Sequence, residues 1–448
     1  MDLFFTKVSQ ALGGQIAPDH LKLAFSILST YPCVFLFKRL GSSFLKHTFS
    51  IVYTTWIMLF VLRLTFGFIH IIAISTLTYL ICTYLPPTTT MAWTNFVLVM
   101  ASMSLCHIHR QMKGIEGDTE LDYSGALMIL TIKLSSFGFN VLDNYSTNQK
   151  RASPHIVQFY GWALFFAGFL AGPTCEYMDY VQFVEANKAP KDSLKPALKR
   201  LCKSFLFIAA LIYLAPTYNY FNALKPSFAR LSFWKKIFFI QLSAFLTRCK
   251  YYCVWFLSEG ACILSGFGFN GYDSQGQPRW DRLNNVNVLS CEFAQSYKQL
   301  SENWNMGANR WLKQYVYLRL KPGSTSTTLI TYIVSSVWHG FHPGFYLFFM
   351  TASVLQLVAR QVRRTVRPLF LTAQGEPVPC WKSAYDVSTW LVSMGLLNMM
   401  VPCFDLLYVS RILHVWHQVY YCHFIVIGVG ILVFQLIRPC LIKKNKKD

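Results

Sequence analysis

The chain has 448 residues, of which 54% are hydrophobic, 17% aromatic and only 14% charged. A soluble domain carries about 25% charged residues, so the set of about three soluble domains that length alone suggests gives way to one integral membrane domain. The net charge of +21 first suggests nucleic acid, but the Lys and Arg sit in short loops between apolar runs, as anchors against anionic headgroups do. The bilayer is the expected partner and nucleic acid is not.

In chain order, residues 1–20 read as a short interfacial amphipathic segment, with Phe4, Phe5, Val8 and Leu12 on one side. The start lacks the basic end and long apolar core of a cleaved signal, so the first span, residues 21–37, is expected to act as an uncleaved insertion signal. Residues 49–85 are long enough for two spans, broken at Arg63 and ended by Pro86-Pro87. Residues 91–106 and 124–142 follow, the second containing Lys133, which is expected to face the bundle interior or to snorkel. Residues 143–154 read as a polar loop. Residues 156–171 read as the next span, turning at Gly172-Pro173 into an aromatic and acidic segment.

Residues 188–200 are basic and expected on the cytosolic side. Spans are read at 205–220, 237–246 and 251–269, the last with Glu259 midway. Residues 271–287 are the most polar, turn-rich loop. Residues 288–320 show helical periodicity without bilayer-grade hydrophobicity and read as interfacial or re-entrant. Apolar runs at 329–338, 345–359, 387–404 and 420–436 complete about eleven membrane segments, with a basic loop at 360–367. The expected fold class is all-α and polytopic, a single domain over 1–448 whose segments wall one central chamber.

The tail, residues 441–448 (LIKKNKKD), is placed in the cytosol by its lysines. Lys444 and Lys446 also match a dilysine retrieval spacing for the endoplasmic reticulum, and a plain topogenic anchor reads equally well. The thirteen Cys are scattered without a CxxC pair, so neither a disulfide framework nor a zinc site is expected. His414, His417 and His423 lack acidic or thiolate partners at useful spacing, so no metal is expected. No inverted repeat of broken spans, the mark of many transporters, is found.

Chemistry concentrates in residues 301–346. An ionisable side chain at membrane depth marks a functional site by default, and an imidazole can move a proton near neutral pH. His339 lies near the end of an apolar run, and Asn305 lies in a polar, Trp-flanked run before it. A helix passing outward and returning could bring the two to one depth. His342 could line the same pocket. Trp304, Trp311 and Trp338 could pack the chamber, although Trp also anchors at interfaces.

The runs NWNMGANRWLKQYVYLRL and SSVWHGFHPGFYLFF closely resemble the signature of membrane-bound O-acyltransferases, and within them the lysophospholipid acyltransferase branch. The resemblance continues in GALMILTIKLSSFGFNV, FFAGFLAGPTCEYMDYVQF, RCKYYCVWFLSEGACILSGFGFNGYD and WDRLNNVNVL. Asp143-Asn144 departs from the Asp-Gly often found in relatives. The resemblance implies His339 and Asn305 as the catalytic pair. It also implies acyl-CoA as co-substrate with no bound cofactor, a lysophospholipid acceptor (lysophosphatidylcholine or lysophosphatidylethanolamine first), and the endoplasmic reticulum membrane. Asn305 could donate to the acceptor oxygen or to the developing oxyanion, or orient the imidazole. Arg310 and Lys313, with Arg319 and Lys321, could pair with coenzyme A phosphates or serve as topogenic anchors. Glu176, Tyr177 and Asp179 could bear on the headgroup or on folding. A sterol, diacylglycerol or protein acceptor, and a transporter using His339 as a proton relay, are the alternatives. Oligomeric state is left open.

Overall fold

The computed structural model describes residues 1–11, 13–14, 17–114, 121–146, 154–186, 190, 192–372 and 374–444. Lys188, most of the expected loop at 143–154, and Lys446 with the end of the tail lie outside the described residues. Among the described residues the regular structure is helical, joined by turns and irregular loops, with two isolated bridges, Tyr272 with Pro278 and Leu371 with Pro377. Eight helical stretches among the described residues are long and apolar enough to cross a bilayer, and the protein is an all-α, multi-pass membrane protein.

The N-terminal third is a bundle of α1 (Asp2–Ala11), α2 (Pro18–Leu28), α3 (Thr30–Arg39), α4 (Ser43–Trp56), α5 (Thr65–Tyr84), α6 (Thr89–Met112) and α7 (Ser124–Ser146). The first expected span is two helices. Pro32 has no N–H for the ladder and its ring crowds the carbonyl four residues back, so the chain breaks at Ser29. Arg63 sits at the expected break between α4 and α5, in a left-handed conformation (φ +58°). Its guanidinium is paired with Asp2 of α1 at 2.6 Å.

Residues 156–171 do not form a span. α8 (Ile156–Ala163) is eight residues long, about 12 Å at 1.5 Å per residue, and turns follow. The cause lies on α7: the buried Lys133 ammonium donates to the carbonyls of Trp162 and, at 3.2 Å, of Ala163, and lies 5.0 Å from the centre of the Trp162 ring. These are the last carbonyls of α8, which have no partner within that helix, although the Trp162 carbonyl also accepts the Phe165 N–H of the following turn at 3.2 Å. A cation there also suits the helix dipole. Lys133 faces the interior as a structural cap.

α9 (Tyr177–Ala186), α10 (Leu194–Leu214), the short α11 (Pro226–Ala229) and α12 (Phe233–Ser265) follow. α12 runs unbroken for 33 residues, about 50 Å, through what sequence reads as two separate segments. The polar interruption around Arg248 does not break it because a partner waits there. Arg248 grips Glu292 with Nε and Nη2 at 2.7 Å each and donates to Asn398 at 2.6 Å.

Residues 288–320 are short helices that do not cross: α13 (Val288–Glu292), α14 (Tyr297–Asn303) and α15 (Met306–Leu312). A π-helical turn over Lys313–Tyr317 follows, closed by Leu318 N–H on the Lys313 carbonyl at 2.9 Å. The chain then forms α16 (Thr325–His339), α17 (Pro343–Val366), α18 (Trp381–Met400), α19 (Pro402–Leu406), α20 (Val409–His417) and α21 (Cys422–Lys444). The expected basic loop at 360–367 is instead helical as far as Val366. On α21, Ile425, Val429, Leu432 and Leu436 are exposed, as side chains with lipid for solvent are.

Candidate active site

His339 is the last residue of α16, and Gly340 closes that helix with its N–H on the carbonyls of Ser336 and Val337. Gly340 has φ +125° and ψ −168°, a region open in practice only to glycine. A Cβ there would also meet the His107 ring at 3.3 Å. The chain therefore leaves α16 abruptly, and the imidazole stays at the helix end.

Four aromatic rings surround it. The centre of the His339 ring lies 4.7 Å from Trp338, 5.2 Å from Phe349 in a stacked arrangement, 5.2 Å from Phe404 edge-on, and 5.7 Å from Phe345. Trp338 is buried, whereas His339, Phe345, Phe349 and Phe404 each keep accessible surface. The imidazole makes no hydrogen bond to a described residue. An imidazole held by ring packing, with its nitrogens uncommitted, can take a proton from a hydroxyl brought within hydrogen-bond reach.

His107 of α6 braces this corner. Its Nε2–H donates to the Trp338 carbonyl at 2.9 Å, and Trp338 Nε1–H donates to the Met128 carbonyl of α7 at 3.1 Å. Sequence reading passes over His107, which looks like an ordinary end-of-span residue. Only the fold brings α6 beside α16.

Trp311 of α15 is fully buried, donates to Ser135 Oγ of α7 at 2.9 Å, and lies 6.0 Å from Trp338. The pair joins α15, which follows directly on Asn305, to α16, which ends at His339. Asn305 is part-buried and left-handed, with φ +43° and ψ +55°, a conformation asparagine tolerates better than most residues. Its carboxamide makes no hydrogen bond to a described residue, and none links it to His339. The structure thus groups Trp311, Trp338 and His339 and sets Asn305 at the far end of the adjoining short helix.

Of the other expected residues, His342 shares Phe345 with His339, and the rest lie outside this group. Trp304 packs edge-on against Tyr251, Tyr252 and Trp255 of α12 at 4.9–5.6 Å. His342 occupies the N-cap position of α17, and its ring lies 6.2 Å from Phe345 and 5.4 Å from Tyr408. Arg310 and Lys313 are exposed and form no ion pair with a described residue, whereas Arg319 is committed to Asp143 through both guanidinium nitrogens. Glu176 is tied to Asn140, and the Tyr315 hydroxyl lies 2.7 Å from Asn140 Oδ1 and 3.1 Å from Glu176 Oε1. Tyr315 belongs to the π-helical turn, an irregularity frequent near functional sites. Among the described residues, no three His, Cys, Asp or Glu side chains gather as a metal site would require.

Fold and site together define a polytopic helical membrane protein that carries an uncommitted histidine within its helical body. The chain belongs to the membrane-bound O-acyltransferase (MBOAT) family, which it matches over residues 38–401. It is 34% identical to a lysophospholipid acyltransferase of Schizosaccharomyces pombe, over 97% of this chain and 89% of that protein. It is 31% identical to the lysophospholipid acyltransferase of Saccharomyces cerevisiae, over 97% of this chain and 77% of that one. Membrane-bound glycerophospholipid O-acyltransferase 2 of Homo sapiens is 29% identical, over 91% of this chain and 82% of its own length. The protein is therefore an O-acyltransferase, with an acyl donor as co-substrate.

Proposed function

We propose that this protein transfers a long-chain fatty acyl group from acyl-CoA to the free hydroxyl of a lysophospholipid, with lysophosphatidylcholine and lysophosphatidylethanolamine the leading acceptors. The observation that carries the reading is likeness over nearly the whole chain to lysophospholipid acyltransferases. The uncommitted His339 imidazole in its aromatic surround supports it from the side of chemistry.

His339 takes the hydroxyl proton as the oxygen attacks the thioester carbonyl. The new ester C–O bond forms, the C–S bond breaks, and the proton passes to the departing thiolate of coenzyme A. Such base catalysis contributes about 10²–10⁴-fold. Asn305 donates from its carboxamide to the developing oxyanion or to the acceptor oxygen. Transfer is direct, with both substrates bound, in a chamber within the single domain of residues 1–448. Arg310 and Lys313, exposed and without an ion pair to a described residue, suit the phosphates of coenzyme A. The enzyme works in the endoplasmic reticulum membrane with its C-terminus in the cytosol.

The test is purified full-length protein with labelled acyl-CoA against lysolipids, a sterol and diacylglycerol. Label is expected in phospholipid. Transfer only to a sterol or diacylglycerol overturns the acceptor class, and substrate movement without acyl-CoA consumption overturns the enzyme reading.

A further inference from the structure

Glu259 is the buried acid that the mechanism leaves unused. It lies on α12 with 1% of its surface exposed, where an ionisable group is expensive. One carboxylate oxygen accepts the N–H of Asn285 at 2.7 Å. The other faces Nε of Arg200, on α10, at 3.3 Å, and Arg200 Nη2 also donates to Asn284 Oδ1 at 2.7 Å. The two charged groups thus hold adjacent residues of the polar loop, Glu259 on Asn285 and Arg200 on Asn284.

That loop in turn holds the residues on either side of Asn305. The Asn285 carbonyl accepts the N–H of Met306 at 2.8 Å, and Asn285 Oδ1 accepts the N–H of Gly307 at 3.2 Å. On the other flank, Asn287 N–H donates to the Asn303 carbonyl at 3.0 Å. Asn305 is the left-handed residue between these clamps, and its own side chain is tied to nothing described.

We propose that Arg200, Glu259 and Asn285 are positioning residues for acyl transfer, fixing the backbone at Asn305 so that its free carboxamide points where the substrates meet. The inference rests on the reading that Asn305 acts in the reaction. Glu259 supplies the acceptor that orients Asn285, and Arg200 holds the carboxylate. A misplacement of about 1 Å from a distant change can cost roughly 10²-fold in rate.

The test uses purified full-length Glu259→Leu, Glu259→Gln, Asn285→Ala and Asn305→Ala proteins, each normalised to folded protein by size exclusion, with kcat and KM measured separately. Glu259→Leu is expected to lower kcat by about 10–100-fold with KM changed less than about twofold. Glu259→Gln, which keeps an oxygen for the Asn285 N–H, is expected to recover most of that rate. In the Asn305→Ala background, Glu259→Leu is expected to cause no further loss, because residues acting as one unit are non-additive. Loss of the same factor in both backgrounds, or a wild-type kcat in Glu259→Leu, overturns the inference. If Glu259→Leu does not fold, Asn285→Ala carries the same comparison. A wild-type rate in Asn305→Ala alone instead removes Asn305 from the reaction, and this inference with it.

Discussion

Arg248→Met isolates the interaction that allows α12 to continue through its polar interruption. Arg248 is buried and meets Glu292 through two hydrogen bonds of 2.7 Å, with Tyr252 donating to the same carboxylate at 2.6 Å. Asn398 receives the third guanidinium hydrogen bond and donates onward to Gln241 at 2.7 Å. Removing one partner of a buried pair costs about 3–5 kcal/mol, because the charge left behind is uncompensated. Glu292 keeps the Tyr252 hydrogen bond and part of its solvent, so the low end, about 3 kcal/mol, is expected for Arg248→Met. Arg248→Met combined with Glu292→Leu removes the stranded charge, and a coupling of about 2 kcal/mol should return. Unfolding midpoints of the purified proteins in one detergent give both numbers. If the two single losses simply add, the pair is not the reason the helix continues through Arg248.

Three further outcomes follow from single contacts. Lys133→Met should take the ammonium from the carbonyls of Trp162, which keeps the Phe165 N–H, and of Ala163, and lower stability by about 1–3 kcal/mol; an unchanged thermal midpoint would remove its capping role. Gly344 lies where a Cβ would meet the Cys403 carbonyl at 2.2 Å, so Gly344→Ala should lift α17 from α19 and part Phe345 from Phe404. Acyl transfer at normal membrane abundance should fall at least tenfold by the sensitivity of catalysis to placement, and full activity would contradict the packing. Trp311→Phe should cost about 1 kcal/mol for its hydrogen bond to Ser135, whereas Trp311→Ala should cost about 3–5 kcal/mol; equal midpoints for the two variants would count against the buried Trp311–Trp338 contact.

The polytopic helical class was legible because lipid demands long apolar runs, and the break at Arg63 fell where that demand fails. His339 and Asn305 stood out as polar groups in recognisable surroundings. What escaped reading depends on partners distant in sequence. Residues 156–171 look like a span until Lys133 reaches across from α7 to end α8. α12 looks interrupted at Arg248 until Glu292 arrives from the next segment. His107 gains meaning only when α6 lies against α16, and Phe404 joins the surround of His339 from more than sixty residues further along the chain. Local hydropathy carries no record of such pairings.

His339→Ala in the purified full-length protein, with labelled acyl-CoA and lysophosphatidylcholine or lysophosphatidylethanolamine, puts the proposed mechanism to its most direct test. The variant should fold, insert and elute as the unsubstituted protein does, with transfer lowered by about 10²–10⁴-fold. Transfer at the unsubstituted rate by a folded His339→Ala protein would contradict the account.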